Sequence, residues 1–298
     1  MDWDHLRYFL ELARAGRLII AARRLGVDHT TVSRRVQALE KQVGQALFLR
    51  TTDGYALTEA GRHLLPAAES MESAYTAIQD LQPSASGQLT GQVRVGATEA
   101  YGSLLLARHL TKLAQQYPHL KVDLLALPRA LQLSRNEADI VITLERPEKG
   151  PFIITRLTDY ELRLYASPSY LAQHAPIRTK EDLKNHRFVT YVDDLLFSKE
   201  LDFLAELVPA SHGSWRSTSV LAQQEAVAAG AGIAILPAFA AERDARLVSV
   251  LATEVSFTRT FWMLMPTELR GLARMRATWE FLREQADLDQ ALLAGVAV

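Results

Sequence analysis

Ala21-Ala22-Arg23-Arg24-Leu25-Gly26-Val27-Asp28-His29-Thr30-Thr31-Val32-Ser33-Arg34-Arg35-Val36-Gln37-Ala38-Leu39-Glu40 reads as two short helices joined by a glycine turn. In the second helix Val32, Val36, Leu39 and Val43 recur at i, i+4, i+7 and i+11, the spacing of one buried stripe. The opposite face presents His29, Thr30, Ser33, Arg34 and Gln37, which are small, hydrogen-bonding or cationic. Asp28 suits the N-cap, because its carboxylate can accept from the first free amides. A helix-turn-helix whose second helix enters the DNA major groove has this layout. So does an ordinary surface helical hairpin.

Charge separates the two readings. Between Arg14 and Arg50 eight cationic side chains face two acidic ones, Asp28 and Glu40, a local net charge of +6 in a chain of 298 residues with a net charge of −1. Phosphate contacts supply much of DNA affinity, and they need this asymmetry. Next comes Leu47-Phe48-Leu49-Arg50-Thr51-Thr52-Asp53-Gly54-Tyr55-Ala56-Leu57-Thr58, two short apolar runs around Asp53-Gly54, a dipeptide that favours a tight hairpin. A hairpin after a helix-turn-helix is a wing, and Arg50 with Thr51 at its base is placed to reach a phosphate or the minor groove. The expected DNA contacts are therefore His29, Thr30, Thr31, Ser33, Arg34 and Gln37 on the second helix, Arg23 and Arg24 before it, and Arg50 and Thr51 in the wing.

At this point the chain resembles the LysR-type transcriptional regulators. Leu6-Arg7-Tyr8-Phe9, Ala21-Ala22, Leu25, Val27, Thr31-Val32-Ser33-Arg34, Leu39-Glu40, Gly44, Leu47-Phe48, Arg50-Thr51 and Leu57-Thr58-Glu59-Ala60-Gly61 fall where that family carries its signature. The match is dense from Leu6 to Gly61 and specific as a set. Two departures stand out. Arg17 and Ile19 occupy positions where the family usually has serine and threonine, and Ile19 cannot cap a helix. His29-Thr30 stands where many members have Gln-Pro, so base preference does not carry over.

Composition agrees with a regulator that works in the cytoplasm. The length suggests two or three domains. Cysteine is absent, which excludes disulfides, thiol nucleophiles and thiolate metal sites together. Met1-Asp2-Trp3-Asp4-His5 lacks the basic and apolar regions of a signal peptide. No apolar run reaches the roughly 18 residues of a membrane span.

From Thr58 to Leu81 the pattern is one long helix with a seam at Leu64, Ala67/Ala68, Met71, Ala74/Tyr75, Ile78 and Leu81, and with Pro66 inside it. Such a helix pairs with a copy of itself or packs within its own chain. The resemblance implies the first, presenting two winged motifs to two half-sites, with tetramers as dimers of dimers. Pro83-Ser84-Ala85-Ser86-Gly87-Gln88-Leu89-Thr90-Gly91 has linker composition.

Beyond Gly91 strands and helices alternate, which argues for α/β architecture. Val93–Ala97, Leu120–Leu127 and Ala138–Leu144 read as strands of a first unit, and Leu162–Ser167 opens a second. The resemblance implies two lobes like those of a periplasmic binding protein, with the chain crossing near residues 158–162 and 262–267. The expected organisation is a winged helix-turn-helix domain at 1–58, a linker and dimerisation helix with its hinge at 59–90, and an effector-binding domain at 91–298. Lobe I covers about 91–160 and 266–298, and lobe II about 161–265.

Folds of this kind hold ligands at the carboxyl ends of parallel strands. The first strand ends in Gly96-Ala97-Thr98-Glu99-Ala100-Tyr101-Gly102-Ser103, where the free amides of a following helix suit a carboxylate or phosphate. Thr98 and Ser103 as mere helix caps is the alternative, and Glu99 would repel an anion if it pointed inward. By the same placement Pro128, Thr143, Tyr191, Ser217, Thr218 and Ile235 join Thr98, Tyr101, Gly102 and Ser103 as effector-binding candidates. Arg129 and Arg146 lie just past such strand ends. The expected ligand is a small carboxylate or aromatic acid, with no other cofactor.

Enzymatic readings fare poorly. Ala229-Gly230-Ala231-Gly232-Ile233 lacks the third glycine of a dinucleotide loop and precedes a strand. The eight histidines show no metal-ligand spacing, and Asp193-Asp194 point apart as neighbours. No catalytic residue and no metal are expected. The expected partners are double-stranded promoter or operator DNA, the effector, a second copy of the chain and RNA polymerase, with no membrane.

Overall fold

The computed structural model describes residues 2–52, 54–80, 89–127, 138–202, 207 and 213–296. Asp53, Leu81, the linker residues 83–88, Pro128 and Arg129 lie outside the described residues, as does the side chain of Ile78. The chain divides into two units, Met1–Gly87 and Gln88–Val298.

The first unit contains α1 (Trp3–Ala15), α2 (Leu18–Leu25), α3 (His29–Val43), β1 (Phe48–Thr51), β2 (Gly54–Leu57) and α4 (Glu59–Asp80). Leu6, Phe9, Leu10 and Leu12 of α1 form the centre of its core, against Ala21, Ala22, Val32, Val36, Leu39 and Leu47. The α3 stripe read from the sequence is the buried one, and Val43 packs at its edge. Gly26 closes α2 at φ +66, a left-handed conformation that side chains rarely adopt, and so lets α3 start in a new direction. Arg17 stands at the N-cap of α2 without a side-chain capping bond, so the departure noted above leaves that helix start to be held by packing.

The wing is held from two sides. β1 and β2 pair from Phe48↔Leu57 to Thr51↔Gly54. The Leu47 and Phe48 amides donate to Glu40 Oε1 at 2.7 and 3.2 Å, which ties the wing to the end of α3. Gly54 sits so close to Gly16 that a Cβ would overlap the Gly16 carbonyl oxygen, and the Tyr55 amide donates to that same oxygen at 2.7 Å. Thr58 then starts α4, its hydroxyl accepting from the Gly61 amide and donating to the Ala46 carbonyl. The α4 seam divides. Leu64, Leu65 and Ala68 pack into the core of their own unit, whereas Met71 and Tyr75 stay 48% and 47% exposed.

The second unit comprises β3 (Gly91–Thr98), α5 (Glu99–Tyr101), a π-turn at Gly102–Leu106, α6 (Ala107–Gln116), β4 (Leu120–Leu127), β5 (Ile140–Thr143) and β6 (Phe152–Ala166). After these follow α7 (Pro168–Gln173), β7 (Phe188–Thr190), β8 (Gly213–Arg216), α8 (Val220–Ala228), β9 (Ala234–Pro237), α9 (Ala238–Ala241), β10 (Val248–Val250), β11 (Ser256–Pro266), α10 (Ala273–Leu288) and α11 (Gln290–Leu293). β4, β3 and β5 are parallel neighbours, β11 runs antiparallel to β5 and β6, and the far half of β6 takes β9 and β10.

The strand expected to open at Leu162 begins at Phe152 and is one continuous crossing. Arg156, Asp159 and Glu161 make its first half look like a loop, but these charges are neutralised locally, Arg156 by Asp159 and Glu161 by Arg163. The β6–β11 register slips between Phe261↔Thr158 and Trp262↔Arg156, leaving Leu157 as an extra residue. On one side of this bulge Trp262–Leu264 pair with β5, and on the other Leu162–Tyr165 pair with β9. Bulges bend and twist a ladder, so the lobes change over at Leu157 and Phe261.

The Glu40 tether yields a test. Glu40→Ala should leave two wing amides without their acceptor, cost about 1–3 kcal/mol and speed hydrogen exchange at Leu47 and Phe48. Glu40→Gln should recover most of the protection. Unchanged exchange at both amides in the alanine variant would refute the tether.

Candidate DNA interface and effector crevice

Thr30, Arg34 and Gln37 lie on one face of α3 at i, i+4 and i+7, all exposed, with His29 exposed at its start and Thr31 and Ser33 half-buried beside them. Arg23, Arg24, Arg50 and Thr51 are also exposed. The N-cap is as read from the sequence: Asp28 Oδ1 accepts from the Thr30 amide at 2.8 Å and from the Thr30 hydroxyl at 2.6 Å. Those two bonds hold the Asp28 carboxyl below its usual range. A lowered carboxyl favours the folded state above its ordinary titration range, and the contribution fades as pH falls through the lowered value. The Thr30 hydroxyl donates to the cap, so toward DNA it offers its lone pairs. Arg24 lies 3.8 Å from Glu11, and Arg35 meets His5, Asp4 and the face of Tyr8. Arg35 thus ties α3 to α1, whereas Arg34 projects outward. Glu40 is the residue that sequence reasoning missed here, since nothing in its spacing announces two backbone amides as partners.

In the second unit a crevice of about 430 Å³, its open mouth included, lies where the lobes meet. Lobe I contributes Thr98, Glu99, Ala100, Tyr101 and Leu144; the crossing strands contribute Tyr160, Leu162 and Phe261. Tyr191, Thr218, Val220, Pro237 and Phe239 close it from lobe II. The rings form one cluster. Phe261 stacks on Tyr160 with centroids 4.2 Å apart and meets Tyr101 at 4.4 Å, and Phe239 stands edge-on to Tyr101 and Tyr160. Burial pushes the phenols of Tyr101, Tyr160 and Tyr191 well up, so they stay neutral. Thr98 stands at the N-cap of α5 without a side-chain capping bond, so its hydroxyl is not spent on the helix.

Four candidates therefore converge on the crevice: Thr98, Tyr101, Tyr191 and Thr218. Of the remaining candidates, the described ones do not line it, and Pro128 lies outside the described residues. Gly102 packs against β4, where a Cβ would press on Ala126, and Ser103 is exposed one residue further along the helix. Thr143 pairs with Trp262 while its neighbour Leu144 reaches the wall, because adjacent strand residues point to opposite faces. Ile235 pairs with Leu164, two residues short of Pro237 and Leu162, which do line the crevice. Ser217 shapes the loop beneath Thr218: its hydroxyl accepts from the Ser219 amide and its carbonyl from Gln223. The guanidinium of Arg146 sits over Trp262, 5.3 Å from the ring centroid, and is absent from the walls. Tyr160, Phe239 and Phe261 escaped the sequence reading because they come from strand interiors and a short helix, not from parallel strand ends. Among the described residues no group of histidines and carboxylates could hold a metal, and no helix is long and apolar enough to cross a membrane.

Comparison with known proteins is consistent throughout. Residues 3–62 match the bacterial regulatory helix-turn-helix of the LysR family, and residues 86–287 match the LysR substrate binding domain. The Mau operon transcriptional activator of Paracoccus denitrificans is 29% identical over 100% of both chains. The HTH-type transcriptional regulator PtxR of Pseudomonas aeruginosa is 24% identical over 99% of this chain and 96% of its own. A full-length OxyR variant from Pseudomonas aeruginosa shares the fold at a TM-score of 0.75, with 20% identity, covering 98% of this chain and 96% of the other. A basic winged helix-turn-helix joined to a two-lobed α/β unit with a ligand-sized crevice, and no enzyme among these relatives, make one conclusion: the chain belongs to the LysR family of DNA-binding transcriptional regulators, with an effector-binding domain behind its DNA-binding domain.

Proposed function

We propose that the regulator works as a homodimer or dimer of dimers, reads its operator through α3 and senses a small aromatic effector in the crevice between its lobes. The observation that carries the reading is the convergence of Thr98, Tyr101, Tyr191 and Thr218 with Tyr160, Phe239 and Phe261 around one crevice at the lobe crossover. Ring walls on three sides favour a flat apolar body, since stacked and edge-on aromatic contacts add to simple burial. The ring of the expected aromatic acid is what these walls support; its carboxylate is opposed by Glu99, which shares the wall. Binding between the lobes biases their relative angle, and through the oligomer the spacing of the DNA-binding pairs. A winged domain at 1–58, a linker and dimerisation helix with its hinge at 59–90 and an effector domain at 91–298 divide these tasks. RNA polymerase is the partner through which changed DNA occupancy would alter transcription, and DNA as a partner favours the cytoplasm.

On α3, Arg34 with Ser33, Thr30, Thr31, His29 and Gln37 would reach base edges or flanking phosphates, while Arg23, Arg24, Arg50 and Thr51 would hold the backbone. The exposure of Met71 and Tyr75, four residues apart on α4, supports pairing of that helix with a second copy.

Three measurements test this. Arg34→Ala should weaken specific operator binding by about tenfold to hundredfold, the loss expected for one bidentate base contact of about 1–3 kcal/mol. Binding within twofold of the parent would remove Arg34 from the groove. Arg50→Ala should weaken binding to all sequences alike and flatten its salt dependence, and an altered sequence preference would count against a backbone role. Met71→Glu should bury an unpaired charge in the dimer seam and halve the mass seen by sedimentation at low micromolar concentration. An unchanged mass would leave the distal half of α4 without an intermolecular role.

A further inference from the structure

Glu99 decides the charge of the ligand. It is the acid in the crevice wall, at the first turn after β3, and α5 packs on α8 of the other lobe. Its Oε1 accepts from the Ser219 hydroxyl at 2.9 Å, across the lobe boundary. Its Oε2 is buried and has no hydrogen-bond partner among the described residues. Buried carboxylate oxygens are almost always hydrogen-bonded, so an orphan on a residue of the crevice wall marks a missing donor.

Among the described residues lining the crevice there is no arginine, lysine or histidine. The negative charge reaches across to Tyr191, whose phenol is raised by burial and by Glu99. Ser219 cannot serve an incoming anion, because its hydroxyl donates to Glu99 while its oxygen accepts from the Ala222 amide at the start of α8. Beside the Glu99 carboxylate an anionic ligand would meet no cation among the described lining residues to offset the repulsion. A cation would instead meet that carboxylate as its counter-charge.

We propose that the effector is an organic cation, an ammonium group on a flat apolar body, with Glu99 as its counter-ion. The proposal rests on the crevice being the effector site, and its test separates the two.

The probes are 2-phenylethylammonium, 3-phenylpropionate and 2-phenylethanol, which share a ring and a short chain and differ in charge. Melting temperature of the full-length protein is followed against the concentration of each. The ammonium compound should raise it at concentrations at least about tenfold below those needed for the other two, the ratio that one charge-assisted contact supplies. Glu99→Gln is isosteric and its amide oxygen can still accept from Ser219, so the ligand-free melting temperature should hold. In that variant the ammonium response should fall by about tenfold or more and 3-phenylpropionate should gain. Stronger stabilisation of the parent protein by 3-phenylpropionate, an ammonium response untouched by Glu99→Gln, or no response to any of the three would overturn the assignment. Thr218→Trp, which fills the crevice, should abolish every response. If that variant still responds, the crevice itself is not the site.

Discussion

The pairing of β6 with β11 is the constraint on which the second unit depends. A strand of 15 residues has backbone donors and acceptors along its whole length, and all must be met wherever water is excluded. β11 meets one edge from Ser256 to Pro266, and no other strand of the sheet follows β6 so far. The remaining strands attach to one half or the other, β5 to Trp262–Leu264 and β9 to Leu162–Tyr165. Two lobes thus share a single ladder. They cannot separate without breaking it, yet they can bend where its register slips.

The same slip builds the crevice. Leu157 is the unmatched residue; Phe261 pairs with the next residue, Thr158, and stacks on Tyr160 two residues further along. A bulge re-aims the side chains around it. Here it sends two rings from the crossing strands toward Tyr101 of one lobe and Phe239 of the other. A ligand lodged among these rings touches both lobes and the hinge at once. That contact set differs between open and closed arrangements, and a ligand can bias a conformational equilibrium only through such a difference.

How much of this was legible varies with the locality of the cause. The recognition helix was readable because its buried stripe, its Asp28 cap and its glycine turn lie within a few residues of one another. The wing followed from a turn dipeptide, but its anchorage did not, since Glu40 reaches backbone amides seven and eight residues away. The long helix showed its periodicity, but not that Leu64, Leu65 and Ala68 would enter the core while Met71 and Tyr75 stay about half exposed, Tyr75 resting on Trp3. The first half of β6 was obscured by three charged residues that read as a loop, although their neutralising partners lie two or three residues along the same strand. That Thr98, Tyr101, Tyr191 and Thr218 line one crevice was legible because parallel strand ends have a known geometric meaning. Tyr160, Phe239 and Phe261 come to the same crevice through a bulge and a one-turn helix, features set by non-local pairing.

The hydrogen bond from Ser219 to Glu99 connects this chemistry to the lobe equilibrium. It crosses from lobe II to lobe I, and a bond to an ionised acceptor contributes about 1.5–3 kcal/mol when water is excluded. Half-exposure of Glu99 places the value toward the lower end of that range. On the proposed assignment an ammonium ligand pairs with the Glu99 carboxylate and leaves the Ser219 bond on Oε1 in place, so its binding energy adds to the arrangement in which the lobes meet. A carboxylate would have to push Glu99 aside, break the crossing bond and favour lobe separation. At about 1.4 kcal/mol per factor of ten, that one bond makes roughly a tenfold difference between the two arrangements. The sign of the ligand's charge would then select not only whether it binds but which way the lobes turn when it does.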